Sequence, residues 1–548
     1  MYIEQYLGAF ENFAERNALT CMATGRTLTY TELDRITNQL SNRFREGGFK
    51  KSDVIMVCLY NTFHLPVSML GAWKNLQIFS PINFRLSPGE IRIHFEDSEP
   101  RVFIYDSDLD ETIEKALQLS RHKPDVLIST HKSFISRSIE FDDYIRNASE
   151  EDPDVSDRIR KVDPLHDEIE RLYTSGTTGL PKGVKFSSHS LLNIAFKTAY
   201  NNHYTNQDKL MNLTPWFHQG GICTTVQPGL LAGSHIFGLK KFDAEEALDC
   251  IENQNITFLA GAPATFNAMA IAQKKRRRDL RSLRLIHSMG SPASSREFLL
   301  WQEVLTSNVV NSYGTTETAS TLCLKSDIHP IKEKAGTAGR PFIFVQARVV
   351  KLYEEDGRGE PTELARKDGN EIGQIIVRTP GMFDGYHNRH EEERKKLYKG
   401  WFYTGDTATW DEEGFIMVQG RTDDMFVSGG ENIFPQPIED VLEKHPKVKE
   451  CIVVGMPDEK WGQVTLAYVV PKNEMPTVEE LDKHCLDDPG LANYKRPRYY
   501  QFVDELLYTA TGKKLRYKMK ERAIREETEI RKKTEEKEMN KPGRWILK

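Results

Sequence analysis

Apolar and polar positions change their period several times along the 548 residues. From Tyr30 to Phe44 apolar positions recur every three to four residues, which predicts an amphipathic helix opening behind Thr31. Asp53 to Leu59 is a short apolar run of strand length. Similar runs at Val102–Tyr105, Arg171–Thr174, Thr257–Ala260, Leu283–Ser288 and Val309–Ser312 are mostly followed by helical patterns, an alternation that predicts a parallel α/β sheet. Near Arg348 the pattern turns to strands separated by turns (Gln346–Leu352, Gln374–Arg378, Phe415–Gln419), with Asp356-Gly357 and Glu413-Gly414 as hairpin signals, and predicts a β subdomain. After Gly420-Arg421 a shorter α+β pattern follows: a helix around Ile438–Glu443, strands at Glu450–Val454 and Val464–Val470, and a helix near Val478–Cys485. The expected fold class is α/β, with stacked α/β sheets and a β subdomain over residues 1–421 and a small α+β domain over 422–548. From Lys520 onward, opposite charges at helical spacing predict a solvated helix, with docking of Trp545 as the alternative.

A chain of this length exceeds the roughly 250–300 residues at which one hydrophobic core stops growing, so more than one domain is expected. With 39% hydrophobic and 28% charged residues the composition is that of a folded globular protein. The formal charge of −6 gives no reason to expect nucleic acid or an anionic membrane surface as a partner, so any anion site must be local. The seven cysteines (Cys21, Cys58, Cys223, Cys250, Cys323, Cys451, Cys485) are scattered, never in C-x-x-C, and read as reduced thiols of a cytoplasmic protein. The first twenty residues carry acids early and lack an apolar stretch, so no secretory signal is expected. No window reaches the ~18 uninterrupted apolar residues of a membrane span.

The segment Leu172 to Val184 changes the picture most. Gly176, Gly179 and Gly183 let the backbone turn tightly toward an anion. Thr174, Ser175, Thr177 and Thr178 add hydroxyl donors, and Lys182 a mobile charge for the outer phosphates of a nucleotide. The residue five after Gly176 is Pro181, so the string is not the G-x-x-x-x-G-K-[ST] nucleotide loop.

This string is similar to the phosphate loop of the adenylate-forming superfamily of acyl-CoA synthetases, luciferases and peptide-synthetase adenylation domains. Further strings agree in order along nearly the whole chain: Leu28 to Leu33 (LTYTEL), Asn311 to Glu317 (NSYGTTE), Tyr403 to Asp406 (YTGD), Gly420 to Asp424 (GRTDD), Ser428 to Asn432 (SGGEN) and Thr509 to Lys513 (TATGK). The resemblance implies ATP, Mg²⁺ and coenzyme A as cofactors and a small-molecule carboxylate as substrate. It implies that Tyr313 faces adenine, with Gly314 and Thr315 beside it, that Thr316 meets the α-phosphate, and that Glu317 holds the metal. Asp406 and Arg421 would bind the ribose. Gly290, Ser291 and Pro292 join the nucleotide contacts. Lys513 would stabilise charge as the carboxylate attacks the α-phosphate. Asp423 would be the hinge of a mobile C-terminal domain, and Gly429 and Gly430 would admit the pantetheine arm. In TATGK the usual Pro and Arg are replaced by Leu507 and Tyr508, and Lys514 follows the lysine.

In Thr214 to Gly221 (TPWFHQGG), His218, Gly220 and Gly221 resemble the lining of the acid and pantetheine tunnels, with His218 as a gating or substrate contact. Phe217, Gly221, Cys223, Ala260, Gly261 and Met289 are the acid-pocket candidates. None is charged, so the expected acid is apolar and held by shape: medium-chain, branched, alicyclic or aromatic, with Met289 disfavouring long chains. The basic run Lys274 to Arg278 is read as a solvated helix end, with the 3′-phosphate of coenzyme A as the alternative. The expected activity is that of an AMP-forming acid–CoA ligase; a homodimer is the assembly allowed for. Two alternatives stay open: an adenylating oxygenase, which would take up oxygen, and a non-catalytic acyl-adenylate binder, which would release no AMP.

Overall fold

The computed structural model describes residues 2–153, 161–174, 181–290, 293–352, 359–428, 431–458, 460–488, 491–508 and 514–539. Ser175, Gly176, Thr177, Thr178, Gly179, Ser291, Pro292, Gly429, Gly430 and Lys513 lie outside them, as do the Asp356-Gly357 turn and Trp545. The chain divides into two compact units. One comprises 1–348, 376–404 and 414–416, the other 349–375, 405–413 and 417–548.

Two sheets build the first unit. The amphipathic helix runs Tyr30–Glu46 and is capped by Thr29 rather than Thr31. The Thr29 hydroxyl accepts from Glu32 N–H while the Glu32 carboxylate takes the Thr29 N–H, a capping box. A seven-stranded sheet has the order Ser138–Glu140, Val126–Ser129, Val102–Tyr105, Val54–Cys58, Ile78–Pro81, Glu168–Thr174, Lys182–Ser187. All its pairs are parallel except the last, a hairpin that brackets the glycine-rich segment.

The second sheet has nine strands, with the parallel core Val309–Thr315, Leu285–Met289, Phe258–Gly261, Lys209–Asn212, His235–Gly238, Asn17–Cys21. Side chains alternate across a strand, so each sheet face has its own lining. Leu259, Ile286, Val309 and Leu324 join the core formed with Leu248, Phe266, Met269, Phe298 and Trp301. Phe258, Ala260, His287, Met289 and Ser312 therefore face the other way. There Tyr204 meets Phe258 at 4.9 Å between ring centroids, and Asn202 meets His287. The helix Ser188–Asn202 covers this face, where the acid-pocket candidates lie.

In the second unit Val448–Asp458 pairs antiparallel with Gly462–Pro471, which pairs parallel with Tyr499–Phe502. One face, with Cys451, Val453, Ala467 and Val469, packs on Ile438, Leu442, Leu481 and Cys485 of the helices Pro435–Leu442 and Val478–Asp487. The other, with Ile452, Val454, Leu466 and Tyr468, receives Met519, Ala523 and Ile530. The charged helix Arg516–Met539 thus docks Met519, Ala523 and Ile530 on the sheet and leaves Arg525 exposed, a docking that the charge pattern alone did not reveal. Among the described residues no helix is long and apolar enough to cross a membrane, and all seven cysteines are buried and free.

Candidate active site

Strand Glu168–Thr174 carries the chain to the glycine-rich segment, and Lys182 opens the returning strand opposite Thr174. Gly183 fits closely there: a Cβ would sit 3.0 Å from Arg171 Cδ and 3.2 Å from His387 Cβ, so those side chains would have to shift. Lys182 Nζ donates to Glu392 Oε2 at 2.7 Å and stands 5.7 Å from the centroid of the buried Tyr386 ring. The Tyr386 hydroxyl donates to Glu317 Oε1 at 2.7 Å. Lys182 and Glu317 are therefore brought to one ring by two residues, Tyr386 and Glu392, that sequence reading did not single out. No local spacing marks either of them.

Glu317 sits in the turn between strands Val309–Thr315 and Ala319–Lys325. Gly314 is obligatory, because a Cβ would lie 2.0 Å from the Ala319 carbonyl oxygen. Thr318 closes the turn: its N–H donates to Thr315 O at 3.3 Å, and the two threonine hydroxyls lie 3.2 Å apart. Phe383 N–H holds the Glu317 carbonyl at 2.7 Å. Tyr313, Thr315 and Thr316 are half-buried around this turn. With one Glu317 oxygen on Tyr386, the other suits a hard divalent cation. Among the described residues no three His, Cys, Asp or Glu cluster to hold a metal, so such an ion would fill its shell with substrate phosphates and water, as Mg²⁺ does.

Among the acid-pocket candidates, Met289 meets the turn that His218 opens. His218 caps the turn that follows it, Nδ1 accepting from Gly220 N–H at 3.2 Å. A Cβ on Gly220 would stand 3.0 Å from Met289 Sδ, and one on Gly221 would lie 2.2 Å from the Pro215 carbonyl oxygen. A π-helical turn, Ile222–Val226, then places Cys223 and Thr224, and the Thr224 hydroxyl meets Met289 Sδ at 3.7 Å. Phe217 packs edge-on against Phe84 at 5.4 Å, and Phe84 against Tyr60 at 4.4 Å. Ala260 and Gly261 lie on the neighbouring strand, Ala260 in register with His287 and Gly261 with Ser288; Gly290 follows Met289 at φ +90°.

Sequence reading missed what lies behind this lining. Glu170 is fully buried, accepts from Gln227 Nε2 at 2.7 Å, and takes the Cys223 thiol at 3.9 Å. Burial pushes its carboxyl up to about 8. His287 is also buried, and it is neutral, pushed down to about 3 by burial, between Asn202 and Ser312.

In the second unit Arg421 Nη1 donates to Asp406 Oδ1 at 3.0 Å, so these two expected ribose ligands are neighbours. Asp423 lies in the short turn Thr422–Asp424. Lys514 is committed elsewhere, donating to Glu443 Oε1 and the Cys451 carbonyl, both at 2.7 Å. In the basic run, Arg276 and Arg278 are both paired with Asp249 and Glu245, and the Arg278 side chain is buried in that network, so the run is not wholly the solvated helix end expected.

The model of the AMP-binding enzyme family matches residues 8–387, and that of the AMP-binding enzyme C-terminal domain matches 437–513. Indoleacetate–CoA ligase of Aromatoleum aromaticum is 31% identical over 89% of this chain and 92% of its own length. The fatty acid–[acyl-carrier-protein] ligase ScoC of Streptomyces coeruleorubidus is 29% identical over 91% and 92%. The o-succinylbenzoate CoA synthetase of Bacillus subtilis, solved with its acyl-adenylate intermediate, superposes with a TM-score of 0.80 at 26% identity over 94% and 97%. The same enzyme has also been solved with ATP and magnesium ion.

Proposed function

We propose that this chain, which belongs to the AMP-binding enzyme family, is an AMP-forming acid–CoA ligase for a medium-chain, alicyclic or aromatic acid. The observation that carries the reading is the meeting of Lys182 and Glu317 at Tyr386, a phosphate-binding cation and a metal-binding carboxylate held by one buried ring.

In the first half-reaction the acid carboxylate attacks the α-phosphorus, the new P–O bond forms, and the α–β anhydride breaks with loss of pyrophosphate. Lys182 exchanges Glu392 for the outer phosphates, Thr316 meets the α-phosphate, and Asp406 with Arg421 takes the ribose. Glu317 would hold Mg²⁺, which when bound neutralises phosphate charge. Lys513 stabilises the charge that builds on the α-phosphate; the engagement of Lys514 with Glu443 supports this register. In the second half-reaction the thiolate attacks the acyl carbon, the thioester forms, and AMP leaves. Residues 1–421 and 422–548 would then act as the two domains about Asp423.

The packing of Met289 against Gly220 and Thr224 supports a short, broad pocket. The indoleacetate and o-succinylbenzoate enzymes are named for aromatic acids, which supports the aromatic alternative.

A pyrophosphate-release screen of short, medium, alicyclic, aromatic and long acids, with and without coenzyme A, tests the whole reading. Release with no acid would sink it, and release with turnover only on an added carrier protein would replace the acceptor. Lys513→Ala should lower acyl-adenylate formation by about 10² or more while thioester formation from pre-made acyl-adenylate survives. Near-wild-type pyrophosphate exchange in that variant would remove Lys513 from its role.

A further inference from the structure

Lys197 lies on the inner face of the helix Ser188–Asn202 and is 1% exposed, in a row with Ile194 at 0% and Ala195 at 1%. Its ammonium donates to the Thr318 carbonyl at 2.8 Å, and among the described residues no carboxylate pairs with it. A buried cation without a counter-ion costs more than one carbonyl bond returns, so folding by itself favours an apolar residue at this position. Burial pushes the ammonium down to about 7, opposed by the Cys223 thiol.

What the amine holds is the turn of the active site. Thr318 is itself buried and closes the turn onto Thr315, so Thr316 and Glu317 are the residues between the two anchors. Phe383 and Tyr386 fix Glu317 through its carbonyl and its carboxylate. Lys197 anchors the next residue, Thr318, from another element.

We propose that Lys197 is a positioning residue for adenylation: its buried ammonium holds the Thr318 carbonyl and thereby sets the turn that offers Thr316 to the α-phosphate and Glu317 to Mg²⁺. This rests on the ligase reading above.

Lys197→Met keeps the length of the side chain and removes both charge and donor. On the full chain three quantities decide: melting temperature, calorimetric binding of Mg·ATP without acid, and acid-dependent pyrophosphate exchange. Melting should occur at or above the wild-type temperature, with Mg·ATP binding weakened at least about three-fold and exchange lowered at least about ten-fold. Lys197→Gln retains a donor for the Thr318 carbonyl and should recover part of both losses; it carries the same comparison if the Met variant does not fold. A lowered melting temperature with a fully active folded fraction would make Lys197 merely structural and overturn the proposal, as would binding and exchange within about two-fold of wild type. If the wild-type chain exchanges pyrophosphate with no acid, the ligase reading falls, while melting and Mg·ATP binding still decide Lys197.

Discussion

Tyr386 receives Lys182 over its ring and gives its hydroxyl proton to Glu317, so one side chain registers two ends of the expected nucleotide site. Glu392 competes for the same lysine. A part-buried ion pair of this kind is worth roughly 0.2–1 kcal/mol, so Glu392→Gln should lower KM for ATP by up to about five-fold with kcat little changed. A raised KM in steady-state kinetics would mean that Glu392 orients Lys182 instead of competing for it. The strings that name Lys182 and Glu317 were legible because the residues that act together there are adjacent in the chain. Tyr386, Glu392, Glu170 and Lys197 were not, because each acts across the fold on a partner that no spacing announces.

Among the elements, the strand Leu285–Met289 and the π-helical turn Ile222–Val226 carry two of the acid-pocket candidates, Met289 and Cys223. The apolar runs predicted the strands to within a few residues, since period and length are local properties. The π-turn was not predicted: a single widened turn leaves the hydrophobic pattern almost unchanged yet places Cys223 toward Glu170 and Thr224 toward Met289. Met289→Ala should raise kcat/KM for acids a few carbons longer than the best wild-type acid, at a stability cost of about 2–5 kcal/mol for a buried methionine. An unchanged chain-length profile in a competition assay would show that Met289 does not bound the pocket.

At the scale of the whole molecule, two compact units divide the expected chemistry: Lys182, His218, Met289 and Glu317 belong to one, Asp406, Arg421 and the Asp423 turn to the other. Proline fixes φ near −65°, so Asp423→Pro should preserve one half-reaction and lower the other by at least about ten-fold. Equal loss of both in a normally folded variant would count against a hinge there. The sequence by itself determined the order and type of the elements, the family and the class of chemistry, because these are written in short strings whose backbone and side chains work within a few residues. Only the tertiary structure decided that Lys182 meets Glu392, that Tyr386 joins Glu317, that a buried Glu170 backs Cys223, and that Lys197 lies buried beneath Thr318. In a sheet of parallel strands the neighbours of a residue come from crossovers far along the chain. Which side chains touch is set by how whole faces pack, and that has no period to read.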